Sequence, residues 1–150
     1  MAAGLVRHGH EVHVIVPAFS SEFGTFVETH DGSKMTVHRI KSYRVISHKT
    51  LRFVWPFTLK KKTDEILRLV QPDAVHVQSH LIVGRYLIKS AKQKQIRLLA
   101  TNHIMPENLI KYSLLPKFMH KAAMNFAWAD AGRILRKMDA LTTPTRRAAE

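Results

Sequence analysis

Short apolar runs that end in polar residues punctuate this chain. Glu11–Pro17, Ala74–Val77, Ile96–Thr101 and Ala140–Thr142 are brief and apolar, and the first two are rich in β-branched residues. Each predicts a strand. Three of them share a form: Asp73–His80, Leu98–Asn108 and Asp139–Thr145 each pass from an apolar run into a polar tail. A tail of that kind falls just past the C-terminal end of its strand, the edge at which open α/β sheets bind ligands.

Helical spacing fills the intervals. Met1–Gly9 reads as the tail of a helix, with His8-Gly9 as its cap. Thr58–Val70 places Leu59, Ile66, Leu67 and Val70 on one face and stops at Gln71-Pro72. Ile82–Lys94 is a second helix, and Pro116–Met138 one or two more. Pro106 can open a short helix through about Tyr112, and Thr145 can cap another. Thr25–Thr29 and Met35–Ile40 flank Asp31-Gly32 and suggest a hairpin or two short strands. Strand, crossover helix and strand over 74–101, with short connections, imply parallel pairing. The expected fold is α/β, one domain with a Rossmann-like parallel sheet and flanking helices. A first strand is expected ahead of Met1, because the chain opens in the second half of a βαβ unit.

Composition adds two constraints. The 150 residues include no cysteine, which excludes disulfides, Cys metal sites and Cys nucleophiles and fits a reducing compartment. No apolar run approaches the roughly 18 residues needed to span a bilayer, and the N-terminus lacks a secretory pattern. Charge is the outlier: 24 Lys and Arg against 11 acids give +13. Nine of those cations and no acid lie between Gly32 and Thr63. A polyanionic partner follows: an anionic membrane, a phosphorylated ligand or nucleic acid.

The candidate chemistry sits in the polar tails. His103 follows its strand end by two residues and is either a structurally bonded loop histidine or a binding or acid–base group. Asn102, Glu107 and Asn108 surround it, and a helix start at Pro106 would offer free N–H groups. Gln78, Ser79 and His80 form the mouth of the preceding strand, with His76 inside it. His76 and His80 do not face one another on a strand as they would on a helix, so no metal site is expected. Trp128, Asp130 and Arg133 read as core packing and a helix-surface pair. Aromatic and apolar residues from Tyr43 to Phe57 interleave with Arg44, Lys49, Arg52 and Lys60, Lys61 and Lys62, and Trp55 stands among them. That mixture suits an anionic bilayer interface. Leu109–Lys121 is a second such surface. Aromatics beside cations also stack on single-stranded nucleic acid. No nucleic-acid motif accompanies them, so the membrane reading is preferred and no nucleic-acid partner is expected.

With these residues in view, the chain resembles the N-terminal, acceptor-side domain of a GT-B glycosyltransferase of family 4. The resemblance spans essentially all 150 residues. It rests on Leu5–Pro17, Pro72–His80, Thr101–Leu109 and Asp139–Thr145. The ordered set is more specific than any member alone. The Asn-His-Ile-Met-Pro-Glu-Asn stretch is similar to bacterial lipid glycosyltransferases, such as diacylglycerol glucosyltransferases and phosphatidylinositol mannosyltransferases. The resemblance implies retaining transfer of a hexose from a nucleotide sugar, UDP- or GDP-linked, to a lipid or other hydroxyl acceptor. It assigns His103 to the reacting sugar, and Gln78, Ser79, His80, Asn102, Glu107 and Asn108 to the substrate side. It also implies peripheral docking on the cytoplasmic, inner face of the plasma membrane. Family members carry a first strand with a Gly-rich loop and a C-terminal donor-binding domain, and no such patterns occur in this sequence. The expectation is therefore a fragment that binds no cofactor and transfers no sugar alone. The alternative is a non-enzymatic basic module for anionic lipid or nucleic acid.

Overall fold

The structure, a computed structural model, describes residues 1–44, 52–103 and 115–144. It is a mixed α/β arrangement with parallel strands and flanking helices, Rossmann-like in character. The chain divides into two compact units, Met1–Val70 and Gln71–Glu150.

The first unit opens with α1 (Ala2–Arg7), which ends as expected at His8-Gly9. Gly9 takes φ +85°, and the His10 N–H reaches back to Leu5 O at 3.1 Å, closing the helix end. Strand β1 (His13–Pro17) follows. Strands β2 (Gly24–His30) and β3 (Ser33–Ile40) form the expected hairpin, and Asp31 and Gly32 both adopt left-handed φ, +49° and +74°. Two consecutive left-handed residues match the right-handed twist of the flanking strands. The sheet order is β1-β3-β2, with β1 parallel and β2 antiparallel to β3. Ala3, Met35 and Val37 form a buried cluster, and Val6, Val14 and Val16 pack against it, so α1 covers one sheet face. A short ribbon pairs β4 (Tyr43–Arg44) with β5 (Arg52–Phe53). Helix α2 (Pro56–Val70) buries Leu59, Thr63, Ile66 and Leu67, and the Thr63 hydroxyl donates to Leu59 O at 3.0 Å. Gln71 then turns to φ +46° ahead of Pro72.

The second unit is a three-stranded parallel sheet of β6 (Ala74–Val77), β7 (Arg97–Thr101) and β8 (Ala140–Thr142), in that order. Helix α3 (Ile82–Gln93) joins the first two strands. A 3₁₀ turn (Lys117–Met119) runs into α4 (His120–Leu135), which precedes the third. Strand alternation separates two faces. Val75, Val77, Leu98 and Ala100 are buried on the side where α3 turns in Gly84, Ile88 and Ala91. Asp139 fixes the register: its N–H donates to Leu98 O at 2.8 Å, and its carboxylate accepts the Leu98 N–H at 2.7 Å. Among the described residues no helix is long and apolar enough to cross a membrane.

Candidate functional site

Parallel pairing brings the three polar tails to one edge of one sheet. Because strand residues alternate between faces, His76 and Gln78 share a side, and so do Leu99 and Thr101 on β7 and Ala140 and Thr142 on β8. A line of hydrogen bonds crosses all three strands there. His103 Nε2 lies 2.9 Å from Gln78 Oε1. Gln78 Nε2 is 3.4 Å from His76 Nε2, which is also 2.8 Å from Thr101 Oγ1. Thr101 Oγ1 lies 2.8 Å from Thr142 Oγ1.

Donor and acceptor capacity orders this line. The Gln78 carbonyl oxygen can only accept, so His103 donates its Nε2–H. The Gln78 amide and a threonine hydroxyl both reach His76 Nε2, so that nitrogen accepts and His76 carries its proton on Nδ1. Thr101 then donates to His76, and the one hydroxyl hydrogen of Thr142 is shared between Thr101 Oγ1 at 2.8 Å and Ala100 O at 3.4 Å. In neutral His103 the proton on Nε2 leaves Nδ1 as the ring's acceptor. His103 is exposed, whereas His76 is partly buried. Burial, followed by the neighbouring His103, pushes the pKa of His76 below its ordinary value, which keeps it in the neutral form this arrangement needs.

The remaining expected residues divide. Asn102 is 7% exposed, and its N–H donates to Thr142 O at 2.9 Å. Ser79 Oγ accepts the Leu81 N–H at 3.2 Å, which shapes the entry to α3. His80 is 6% exposed and lies in the field of Arg85 and Asp130 rather than in the line through His103. Burial lowers its pKa, Arg85 acts in the same direction, and Asp130 opposes them. Glu107 and Asn108 lie outside the described residues, as do the short helix expected from Pro106 and the cap expected at Thr145. Among the described residues no cluster of three or more His, Asp or Glu could hold a metal.

Three residues of this edge are plain only in three dimensions. Gly84 sits where a Cβ would fall 1.7 Å from Ser79 O and 2.8 Å from Val77 Cγ1, so only glycine lets α3 approach the loop that carries Ser79 and His80. Its one signal in the sequence is a glycine inside an otherwise good helix. Thr101 and Thr142 complete the polar line, and their signal is a hydroxyl at the last position of two paired strands.

The basic and aromatic residues of the first unit are placed separately. The Arg52 guanidinium donates to Phe19 O and lies over the Phe19 ring, 4.9 Å from its centre. Lys41 approaches the rings of Phe23 and Tyr43, at 5.4 and 5.8 Å. Phe53 and Trp55 meet edge to face at 5.2 Å, while Trp55 and Phe57 remain 56% and 90% exposed. Lys60 pairs with Asp64 at 2.7 Å and Lys62 with Glu65 at 2.9 Å, so part of the local charge is neutralised by acids one helical turn on. Arg44 lies on β4 and Lys61 on α2; Lys49 falls outside the described residues.

Comparison with known proteins agrees with the sequence motifs. Residues 1–150 match the family model described as Glycosyltransferase Family 4. No curated protein and no solved structure shows significant similarity to the chain.

Proposed function

The chain belongs to glycosyltransferase family 4, and on that premise we propose that it supplies the acceptor side of a retaining hexosyltransferase acting on a lipid hydroxyl. The donor is a UDP- or GDP-hexose held by a separate donor-binding domain. His103 is the group that meets the reacting sugar. The observation that carries this reading is the bond from His103 Nε2–H to Gln78 Oε1, 2.9 Å, at the C-terminal edge of a parallel sheet. It fixes one tautomer on an exposed ring and turns an acceptor nitrogen over to a sugar hydroxyl. Gln78 is then a positioning residue, because it acts through His103. A lipid acceptor fits the exposed Trp55 and Phe57, which share a basic stretch of the chain with Arg44, Arg52 and Lys61. Those residues would rest on an anionic bilayer, at the cytoplasmic face of the plasma membrane.

The test is transfer of labelled hexose from UDP-glucose or GDP-mannose to diacylglycerol in anionic vesicles, with the chain joined to a family donor domain. His103→Ala should lower kcat about 100-fold or more, the usual scale for losing a positioned acid–base or hydrogen-bonding group. Gln78→Leu should lower kcat about tenfold with little change in acceptor KM, and Gln78→Glu, which retains an acceptor oxygen, should recover much of it. Wild-type turnover in His103→Ala would refute the role given to His103. Transfer that survives unchanged in Trp55→Ala/Phe57→Ala, with undiminished vesicle binding, would refute the membrane contact.

A further inference from the structure

The structure assigns an anion site in the second unit, in a groove along two of its helices that is separate from the line of bonds through His103. Helices α3 and α4 flank a groove of about 500 Å³. Lys89 and Lys92 line one wall, and Arg133 and Lys137 the other. At one end Arg85 and Asp130 form a two-pronged ion pair that joins the helices. Asp130 is the one acid in the lining; it is paired with Arg85 and also lies in the field of Arg133. No acid among the described residues forms an ion pair with Lys89, Lys92, Arg133 or Lys137.

Geometry and charge together define the ligand. On a helix of 1.5 Å rise, Lys89 and Lys92 are about 4.5 Å apart along one wall and Arg133 and Lys137 about 6 Å apart along the other, a length that matches two phosphoryl groups in series. Ile88 and Ile134, both buried, lie at the base, where low-dielectric material strengthens the field above it. Four like charges on facing walls repel one another, and an anion between the walls offsets that repulsion. The groove is concave and on the scale of small-ligand sites, so it suits a compact ligand better than a flat bilayer. We propose that it binds a compound bearing two or more phosphoryl groups in series. This assignment is independent of sugar transfer and involves none of the residues bonded to His103.

Calorimetric titration of the chain with inorganic tripolyphosphate tests it, at low and moderate salt. The variant Lys89→Gln/Arg133→Gln/Lys137→Gln removes three groove charges at exposed positions. The control Lys60→Gln/Lys61→Gln/Lys62→Gln removes three from α2. Saturable binding near one equivalent is expected, weakened about tenfold or more by the groove variant and less than twofold by the control. Circular dichroism identifies any variant that fails to fold, and a Lys89→Gln/Lys137→Gln double variant then takes its place. Equal losses in both triple variants would show general polyanion attraction and overturn the site, as would no saturable binding. Sedimentation with phosphatidylglycerol vesicles separates the sources of phosphate. Vesicle binding abolished by the groove variant, without tripolyphosphate binding, would assign the cations to a membrane and overturn the proposal.

Discussion

Both units hold a histidine pair in a hydrogen-bonded line, and the two lines end differently. In the first unit His13 Nε2 donates to Glu11 Oε1 at 2.9 Å, so His13 Nδ1 accepts from His38 Nε2 at 3.0 Å. His38 Nδ1 then accepts from the Thr25 hydroxyl, also at 3.0 Å. Every ring nitrogen is committed, and the rings stack with centres 5.2 Å apart across the paired strands β1 and β3. In the second unit the line from Thr142 through Thr101, His76 and Gln78 ends on exposed His103 at the strand ends. A closed line holds strands together. An open one at the C-terminal edge can continue onto a ligand. Histidine identity is thus less informative than position along the strand.

The sharpest way to break the second unit while sparing the first is Gly84→Ala. Alanine is the better helix former by about 1 kcal/mol, so propensity alone predicts stabilisation. The Cβ would fall 1.7 Å from the Ser79 backbone oxygen, and backbone cannot swing aside as a side-chain end can. We expect a net loss of at least about 3 kcal/mol. Each unit contains one tryptophan, Trp55 or Trp128, so single-tryptophan variants report the units separately in denaturant melts. A Trp128 transition unmoved or raised by Gly84→Ala would refute the close approach. The counterpart in the first unit is Met35→Ala, which empties part of the cluster under α1 and should cost about 2–3 kcal/mol. The effect should appear in the Trp55 signal; an equal shift in both signals would mean that the units do not respond separately.

Much of this architecture is legible along the chain. The strands at 74–77 and 140–142 need only a short apolar run between turn residues, and the hairpin is announced by Asp31-Gly32. The helix expected over Ile82–Lys94 ends at Gln93, with Gln95 supplying the left-handed turn that glycine supplies after α1. Pairings between distant strands are less legible. β1 and β3 pair in parallel although β2 separates them along the chain, and nothing local to either reports it. The site divides on the same ground. His103, Gln78 and Asn102 are read from strand-end position, but nothing local shows that His80 is buried in the field of Arg85 and of Asp130, 50 residues away. Lys60 and Lys62 pair with Asp64 and Glu65, which lie just beyond the acid-free stretch that ends at Thr63.

Acid should weaken both units modestly, and the sign follows from the buried imidazoles. His38 is pushed below the ordinary 6.5 by burial and then by His13, His76 by burial and then by His103, and His80 by burial and then by Arg85. In each case the folded state takes up the proton less readily than the unfolded chain. Neutral histidine therefore contributes its full stability above about pH 6.5, and that contribution is lost as pH falls toward the depressed folded values. Melts at pH 7.5 and 5.5 should show lower stability at the acid end in both tryptophan signals, above the range where carboxylates titrate. In the first unit the closed line sharpens the effect, because a proton on His38 would place its charge beside the stacked His13 ring. His38→Gln should be less stable at pH 7.5 and flatter between the two pH values in the Trp55 signal, with the Trp128 slope retained. Stability that stays level or rises on acidification in the unsubstituted chain would mean that these rings are not held neutral, and the contrast between closed and open lines would lose its electrostatic basis.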